Sequence, residues 1–158
     1  MEHPDPNAVA AVVVTFNPDE RVARLTESLL PQVGGLWVVD NGSSAPAREQ
    51  LREIQLQTTG GITLISNPEN LGLAAAQNQG ITQAIDAGYE WILLMDQDSI
   101  PDGHMVSEML SAASAYPVPE RIGFLAPRHD DDRGLPAASV FTYGRYRRLR
   151  WKSIQAGQ

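Results

Sequence analysis

Four apolar runs alternate with helical patterns along this chain, and each run empties into a cluster of polar residues. Residues 9–16 (VAAVVVTF) and 91–95 (WILLM) are apolar without strict alternation, which reads as strands buried on both faces of a parallel sheet. Residues 36–39 (LWVV) and 62–65 (ITLI) supply two more strands, and 123–127 (GFLAP) a short fifth. Strands alternating with helices predict an α/β fold: a doubly wound, mostly parallel sheet with helices on both faces. The polar clusters at 15–17, 40–43, 67–72 and 96–99 then fall at strand carboxyl ends, the rim where open α/β sheets bind ligands.

The segments between the strands carry helix signals. Asn17-Pro18-Asp19-Glu20 reads as a helix start, with Asn17 as N-cap, Pro18 at the first position and Glu20 closing a capping box. Val22, Leu25 and Leu29 recur at helical spacing until Pro31 stops the run. Further helices are predicted over 46–55, with Leu51 and Ile54 inward, over 73–87, closing on Gly88, and over 105–115. Ala74, Ala75, Ala76 and Gly80 give the third helix small residues that permit a close approach to the sheet.

Composition narrows the chemistry. A hydrophobic share of 42% in 158 residues suffices for a single core. No run approaches the roughly 20 apolar residues of a membrane span, and residues 1–5 show no secretory-signal pattern. The absence of cysteine excludes disulfides, thiolate metal sites and cysteine nucleophiles, and is compatible with a cytoplasmic location. A net charge of −7 argues against nucleic acid as a partner. The charge is uneven: seven basic residues against nineteen acids leave −12 on residues 1–144, and the remaining tail carries +5.

Asp96 and Asp98, one residue apart at a strand end, suit a hard divalent cation, which prefers carboxylate oxygen and often keeps a substrate phosphate as a further ligand. The bland alternative is a capped turn with one solvated acid; four polar clusters on one rim favour the cation. Asp40 is placed either to accept hydrogen bonds from a nucleobase or ribose or to form an Asx-turn with Gly42. Asn17 is a ligand contact, a helix cap, or both. Gly72 precedes a helix, where bare backbone amides can approach a diphosphate; the alternative is an ordinary loop glycine. Asn78 is a poor helix former inside a helix, and an exposed face is its simplest explanation. His3, His104 and His129 share no ligand spacing, and residues 130–132 (DDD) read as a solvated loop. No Walker loop, no G-x-G-x-x-G and no G-x-S-x-G elbow is present.

Together the segments VVVTFNP (12–18), VVDNGS (38–43), NPENLGLAAAQNQGI (67–81) and ILLMDQDS (92–99) resemble, in order and spacing, the nucleotide-binding half of the GT-A-fold glycosyltransferases of family 2. The TFNP and DQDS forms look most like the bacterial rhamnosyltransferase branch, whose donor is dTDP-L-rhamnose. The resemblance implies an inverting, metal-dependent transferase of polysaccharide assembly, working with a dTDP-sugar donor (a UDP-sugar as the alternative), a glycan or lipid-linked acceptor, and Mg²⁺ or Mn²⁺. It implies that Thr15, Phe16 and Asn17 line the base pocket and that Asp40 bonds the base. Asn70, Gly72 and Asn78 would follow the nucleotide and sugar diphosphate, with Asp96 near ribose and metal and Asp98 on the metal. Members often carry Arg or Lys where this chain has Gln77, so that positive contact is missing here.

The resemblance covers about residues 8–127, giving an expected donor domain at 1–127 and a basic, aromatic segment at 128–158 that begins an acceptor half. That half normally supplies the general base. No acid follows Asp132, so no catalytic base is assigned. Residues 143–152 carry aromatics and arginines able to meet anionic lipid, at the inner membrane face, or the protein's own acidic body. Two other readings remain: a non-catalytic nucleotide-binding or assembly module, and a phosphatase of haloacid dehalogenase type, in which an Asp-x-Asp pair ends the first strand.

Overall fold

The computed structural model describes residues 5–58, 61–118 and 121–127, together with the backbone of 141–142 and 150–151. The chain divides into two compact units, Met1–Tyr116 and Pro117–Gln158.

In the first unit, β1 (Val9–Thr15), β2 (Gly35–Asn41), β3 (Ile62–Asn67) and β4 (Trp91–Asp96) form one parallel sheet in the order β3-β2-β1-β4. The connections are α1 (Arg21–Leu29), α2 (Ala45–Gln57) and α3 (Leu73–Asp86), and α4 (Met105–Ser114) follows β4. The strands step outward from β1 to β3 and then return to the other side of β1. With right-handed crossovers, that reversal puts α3 on the face opposite α1 and α2.

The packing follows the strand period of two. Val9, Ala11 and Val13 of β1 join Leu36 and Val38 of β2 against Val22, Leu25 and Leu29 of α1, Leu51 of α2, and Val106 and Leu110 of α4. Ala10 and Val12, with Trp37 and Val39, face Ala76 and Ala84 of α3. Of the four small residues expected to bring α3 close, Ala76 and Gly80 are buried against the sheet, whereas Ala74 and Ala75 are exposed. A Cβ on Gly80 would sit 2.5 Å from Val12 Cγ1 and 3.2 Å from Val39 Cγ2. Gly80→Val is therefore expected to lower stability by about 1–3 kcal/mol through overpacking, read as a fall in the urea midpoint at unchanged slope.

Burial on both faces holds for the central strands β1 and β2. It does not hold for β4, where Leu94 is 44% exposed. β4 is a sheet edge beside β1, so only part of its apolar run is covered. The fifth strand expected at 123–127 is also absent: those residues have no regular structure. In the second unit, Phe141–Thr142 pairs antiparallel with Arg150–Trp151. The rest of the 143–152 stretch, His3, His129 and residues 130–132 lie outside the described residues.

Asn17 does not cap α1. Its φ of +45° turns the chain in the left-handed region, which asparagine tolerates better than most residues. Its Oδ1 accepts Ser44 N (2.9 Å) at the entry to α2, and its own N–H donates to Ser43 Oγ (2.8 Å). α1 starts later, at Arg21, and Glu20 closes no capping box. Asp19 takes over the local role, accepting Arg21 N at 2.9 Å and pairing with the Arg21 guanidinium at 2.7 Å. These hydrogen bonds hold the Asp19 carboxyl below its ordinary range.

Candidate functional site

The strand order reverses between the parallel neighbours β1 and β4, and a cavity of ≈ 290 Å³ opens at their carboxyl ends. This is the switch point at which doubly wound sheets hold their ligands. Its walls are Val14 of β1 and Phe16 just past it, Asn41 of β2, Asn70 before α3 and Leu73 at its start, Asp96 at the end of β4, and Gln97 and Asp98 just beyond.

The acidic wall is shaped by a turn. Asp96 O accepts Ser99 N at 3.2 Å, which places Gln97 and Asp98 at the turn's two central positions. Gln97 points back across the sheet edge. Its Oε1 accepts Phe16 N at 2.8 Å and its Nε2 donates to Phe16 O at 3.4 Å. The amide thus extends the β1–β4 ladder one step past Val14–Asp96, its last backbone pair. Asp96 and Asp98 are left exposed, and the Phe16 ring, 46% exposed, forms an apolar platform at the cavity. The Arg21 pKa is raised chiefly by Asp19, with Asp98 adding a lesser electrostatic contribution.

The structure brings four of the sequence-predicted residues to the cavity: Phe16, Asn70, Asp96 and Asp98. The others are placed elsewhere. Thr15 is fully buried and donates to Val39 O at 3.5 Å. Asp40 is fully buried as well: its Oδ1 accepts Ser43 N at 3.0 Å, and its Oδ2 lies 3.3 Å from Arg48 Nε. Its carboxylate is committed to the 40–43 turn, through Ser43 N rather than through the Asx-turn with Gly42 that the sequence offered. Gly72, with φ +86°, precedes α3 and donates its N–H to Asn70 Oδ1 at 2.9 Å, outside the cavity lining. Asn78 lies on the exposed side of α3 and is not part of the lining.

Sequence reasoning missed Val14, Asn41, Leu73 and Gln97. The signal for Asn41 was the strand period: when Asp40 faces one side of the sheet, its neighbour faces the other. Asn41 lies on the α3 side, where it takes up the segment leading into α3. Gly42 adds to this fit. With φ +85°, its bare Cα lies where a Cβ would meet Glu69 C at 2.4 Å and Asn70 N at 2.6 Å.

Two carboxylates on one wall supply hard oxygen ligands of the kind Mg²⁺ and Mn²⁺ accept, and leave coordination positions for diphosphate oxygens and water. No third His, Cys, Asp or Glu joins them into a metal-binding group among the described residues. The donor set therefore fits a cation shared with a phosphorylated ligand rather than one caged by protein.

Comparison with known proteins agrees with this architecture. The chain is 32% identical over 109 residues to the dTDP-rhamnosyl transferase RfbF of Shigella flexneri, covering 68% of this chain and 34% of that protein. It is 32% identical over 116 residues to the galactofuranosyltransferase GlfT1 of Mycolicibacterium smegmatis, covering 71% and 37%. It thus spans about a third of the length of these curated relatives. Among solved structures, the mannosyltransferase PcManGT of Pyrobaculum calidifontis, in complex with GDP-Man and Mn²⁺, superposes with a TM-score of 0.61 at 21% identity, over 73% of this chain and 35% of that one. S. aureus TarS 1–349 gives 0.54 at 18%, over 66% and 31%. The fold is that of the GT-A glycosyltransferases. The model of the family described as glycosyl transferase family 2 matches residues 10–154, well past residue 127, where the recognisable motifs end. The family match displaces the phosphatase reading, and the aspartate pair lies at the end of the fourth strand, not the first. With its sheet order, its rim cavity and this match, the chain belongs to glycosyl transferase family 2.

Proposed function

We propose that the cavity at the β1–β4 switch point binds a dTDP-sugar, with dTDP-L-rhamnose as the donor that best fits. The protein then transfers the sugar, with inversion, to a glycan or lipid-linked acceptor in polysaccharide assembly. One observation carries this reading: an aromatic platform, an amide and two carboxylates, from three separate segments, meet in one cavity. The similarity to a dTDP-rhamnosyl transferase supports the choice of nucleotide, and a UDP-sugar is the alternative.

In this reading Phe16 stacks on the base, and Asp40 acts through Ser43 by shaping the turn beside it. Asn70 meets the diphosphate. Asp96 and Asp98 would hold Mg²⁺ or Mn²⁺ against the phosphates, Asp98 as the metal ligand and Asp96 shared with the ribose. Breaking the anomeric C–O bond throws negative charge onto the departing diphosphate, and the cation would supply electrostatic stabilisation of that charge. An acceptor hydroxyl attacking from the opposite face inverts the anomeric centre as a carboxylate base removes its proton. No helix among the described residues is long and apolar enough to cross a membrane; contact with the membrane surface would fall to the basic stretch at 143–152.

Titration calorimetry with dTDP and UDP, each with and without Mn²⁺, tests the reading. Manganese-dependent binding with dTDP preferred is expected. Absence of binding by both nucleotides, at concentrations that reveal millimolar affinity, would sink it.

A further inference from the structure

The cavity's polar wall rests on one buried amide. Asn41, the last residue of β2, is 3% exposed and reaches the lining with its side chain. Its Oδ1 accepts Leu71 N at 3.0 Å and Asn67 Nδ2 at 3.3 Å. Its Nδ2 donates to Asn70 Oδ1 at 2.9 Å, and the same Asn70 oxygen accepts Gly72 N at 2.9 Å. Asn67 is held in turn by reciprocal amide bonds with Gln79, at 2.8 and 3.1 Å.

These bonds have only one consistent polarity. A backbone N–H can only donate, so Leu71 N identifies the oxygen end of Asn41, and Gly72 N identifies that of Asn70. With its oxygen taken twice, Asn70 keeps its Nδ2 unmatched by any acceptor among the described residues. Asn70 shares the cavity with Asp96 and Asp98. An amide N–H pair on a cavity shared with two carboxylates that would hold a cation complements a ligand oxygen that carries negative charge, and a phosphoryl oxygen is such an atom.

We propose that Asn41 is a positioning residue: it locks the Asn70 amide so that the Asn70 N–H groups, and not its oxygen, face the donor's diphosphate. This rests on the donor-binding reading above. In Asn41→Asp the new carboxylate still accepts from Leu71 and Asn67 but cannot donate to Asn70. The Asn70 amide then turns over to donate inward to that carboxylate, a charge-assisted bond that outweighs its bond from the exposed Gly72 N–H, which passes to water, and its oxygen faces the phosphates.

The test compares the parent chain with Asn41→Asp and Asn41→Leu, binding dTDP or thymidine in the presence of Mn²⁺. Loss of a hydrogen bond to a charged group predicts dTDP binding weakened roughly ten- to a hundredfold in both variants. Thymidine, which has no phosphate, should bind all three proteins alike. Weakening in Asn41→Asp alone would mark a charge effect and overturn the proposal, as would equal loss of thymidine and dTDP. The parent gives an independent readout that needs no folded variant. The Asn70 side-chain amide signals, assigned by their loss in Asn70→Ser, should shift with dTDP plus Mg²⁺ and stay put with thymidine. Unmoved signals at dTDP saturation overturn the proposal while leaving donor binding intact; a parent that binds no nucleotide overturns the donor-binding reading itself.

Discussion

Replacing Asp98 by alanine is expected to abolish the metal-dependent part of nucleotide binding while leaving the fold intact. Asp98 is exposed, sits at a turn position, and forms no hydrogen bond or ion pair among the described residues. Its removal costs no packing, relieves repulsion from Asp96 and gives up a small attraction to Arg21, so the melting temperature should stay close to that of the parent. The binding effect is different in scale. Among the described residues only two carboxylates line the cavity, so removing one halves the anionic ligands that would hold a cation against a diphosphate. Losing cation-mediated stabilisation of several kcal/mol weakens Mn²⁺-assisted dTDP binding on the order of 100-fold or more. Calorimetry with and without Mn²⁺ reads this directly, and under the proposed function donor turnover should fall in parallel. Unchanged manganese dependence in Asp98→Ala would remove Asp98 from the metal site. Asp96→Ala should show a loss of the same sign.

The largest stability effect is expected at Arg48, which looks like an ordinary surface arginine on α2. Its side chain is 33% exposed, but its partner Asp40 is fully buried, with Oδ2 3.3 Å from Arg48 Nε. Neither atom has a hydrogen-bond partner among the described residues, so the attraction is charge against charge rather than a directed bond. Asp40 gains one backbone hydrogen bond, from Ser43. Arg48→Met keeps most of the aliphatic packing and strands a buried carboxylate, which is expected to lower unfolding free energy by about 3 kcal/mol or more. An exposed ion pair would cost about 0–1 kcal/mol. Adding Asp40→Asn to Arg48→Met should recover much of the loss, because the uncompensated charge is gone. A urea midpoint barely moved by Arg48→Met would show that water or another group neutralises Asp40. The consequence reaches the site: Asp40 holds Ser43, and Ser43 Oγ accepts the N–H of Asn17 beside the Phe16 platform.

The order of elements was legible because continuous apolar runs and helix stops are local signals. Pro31 does end the α1 region, through a 3-10 turn at Leu30–Gln32, and Gly88 does close α3. Gly88 N bonds Ile85 O and Tyr89 N bonds Ala84 O, the paired pattern of a glycine-closed helix end. What local signals lacked was the sheet order. Trp91–Asp96 is as apolar as β1 in sequence, yet its place at the edge leaves Leu94 exposed. Asn17 shows the same limit: its neighbours spell a helix start, but the tertiary partner it meets is the entry to the other helix, at Ser44.

The site was legible in its clusters and not in its facing. The cavity opens on the α3 side of the sheet, with Val14, Asn41 and Asp96. Thr15 follows Val9, Ala11 and Val13 toward the opposite core, and Asp40 follows Leu36 and Val38 there. Alternation along a strand determines which residues share a side. Which side carries the ligand depends on where α3 begins, and the start of α3 is fixed by the bonds that Asn41 makes to Asn70 and Leu71. Gln97 was hidden for a related reason: flanked by two acids, it carries no charge itself, and its role lies in a backbone 81 residues away.

The proposed site of a nucleotide diphosphate and its cation is the β1–β4 switch point. Crystals grown with dTDP and Mn²⁺, measured at the manganese absorption edge, test it most directly. The expected result is an anomalous peak bridging the Asp98 carboxylate and the diphosphate, with the base against Phe16. Ordered dTDP bound elsewhere, or a manganese peak remote from Asp96 and Asp98, would contradict it.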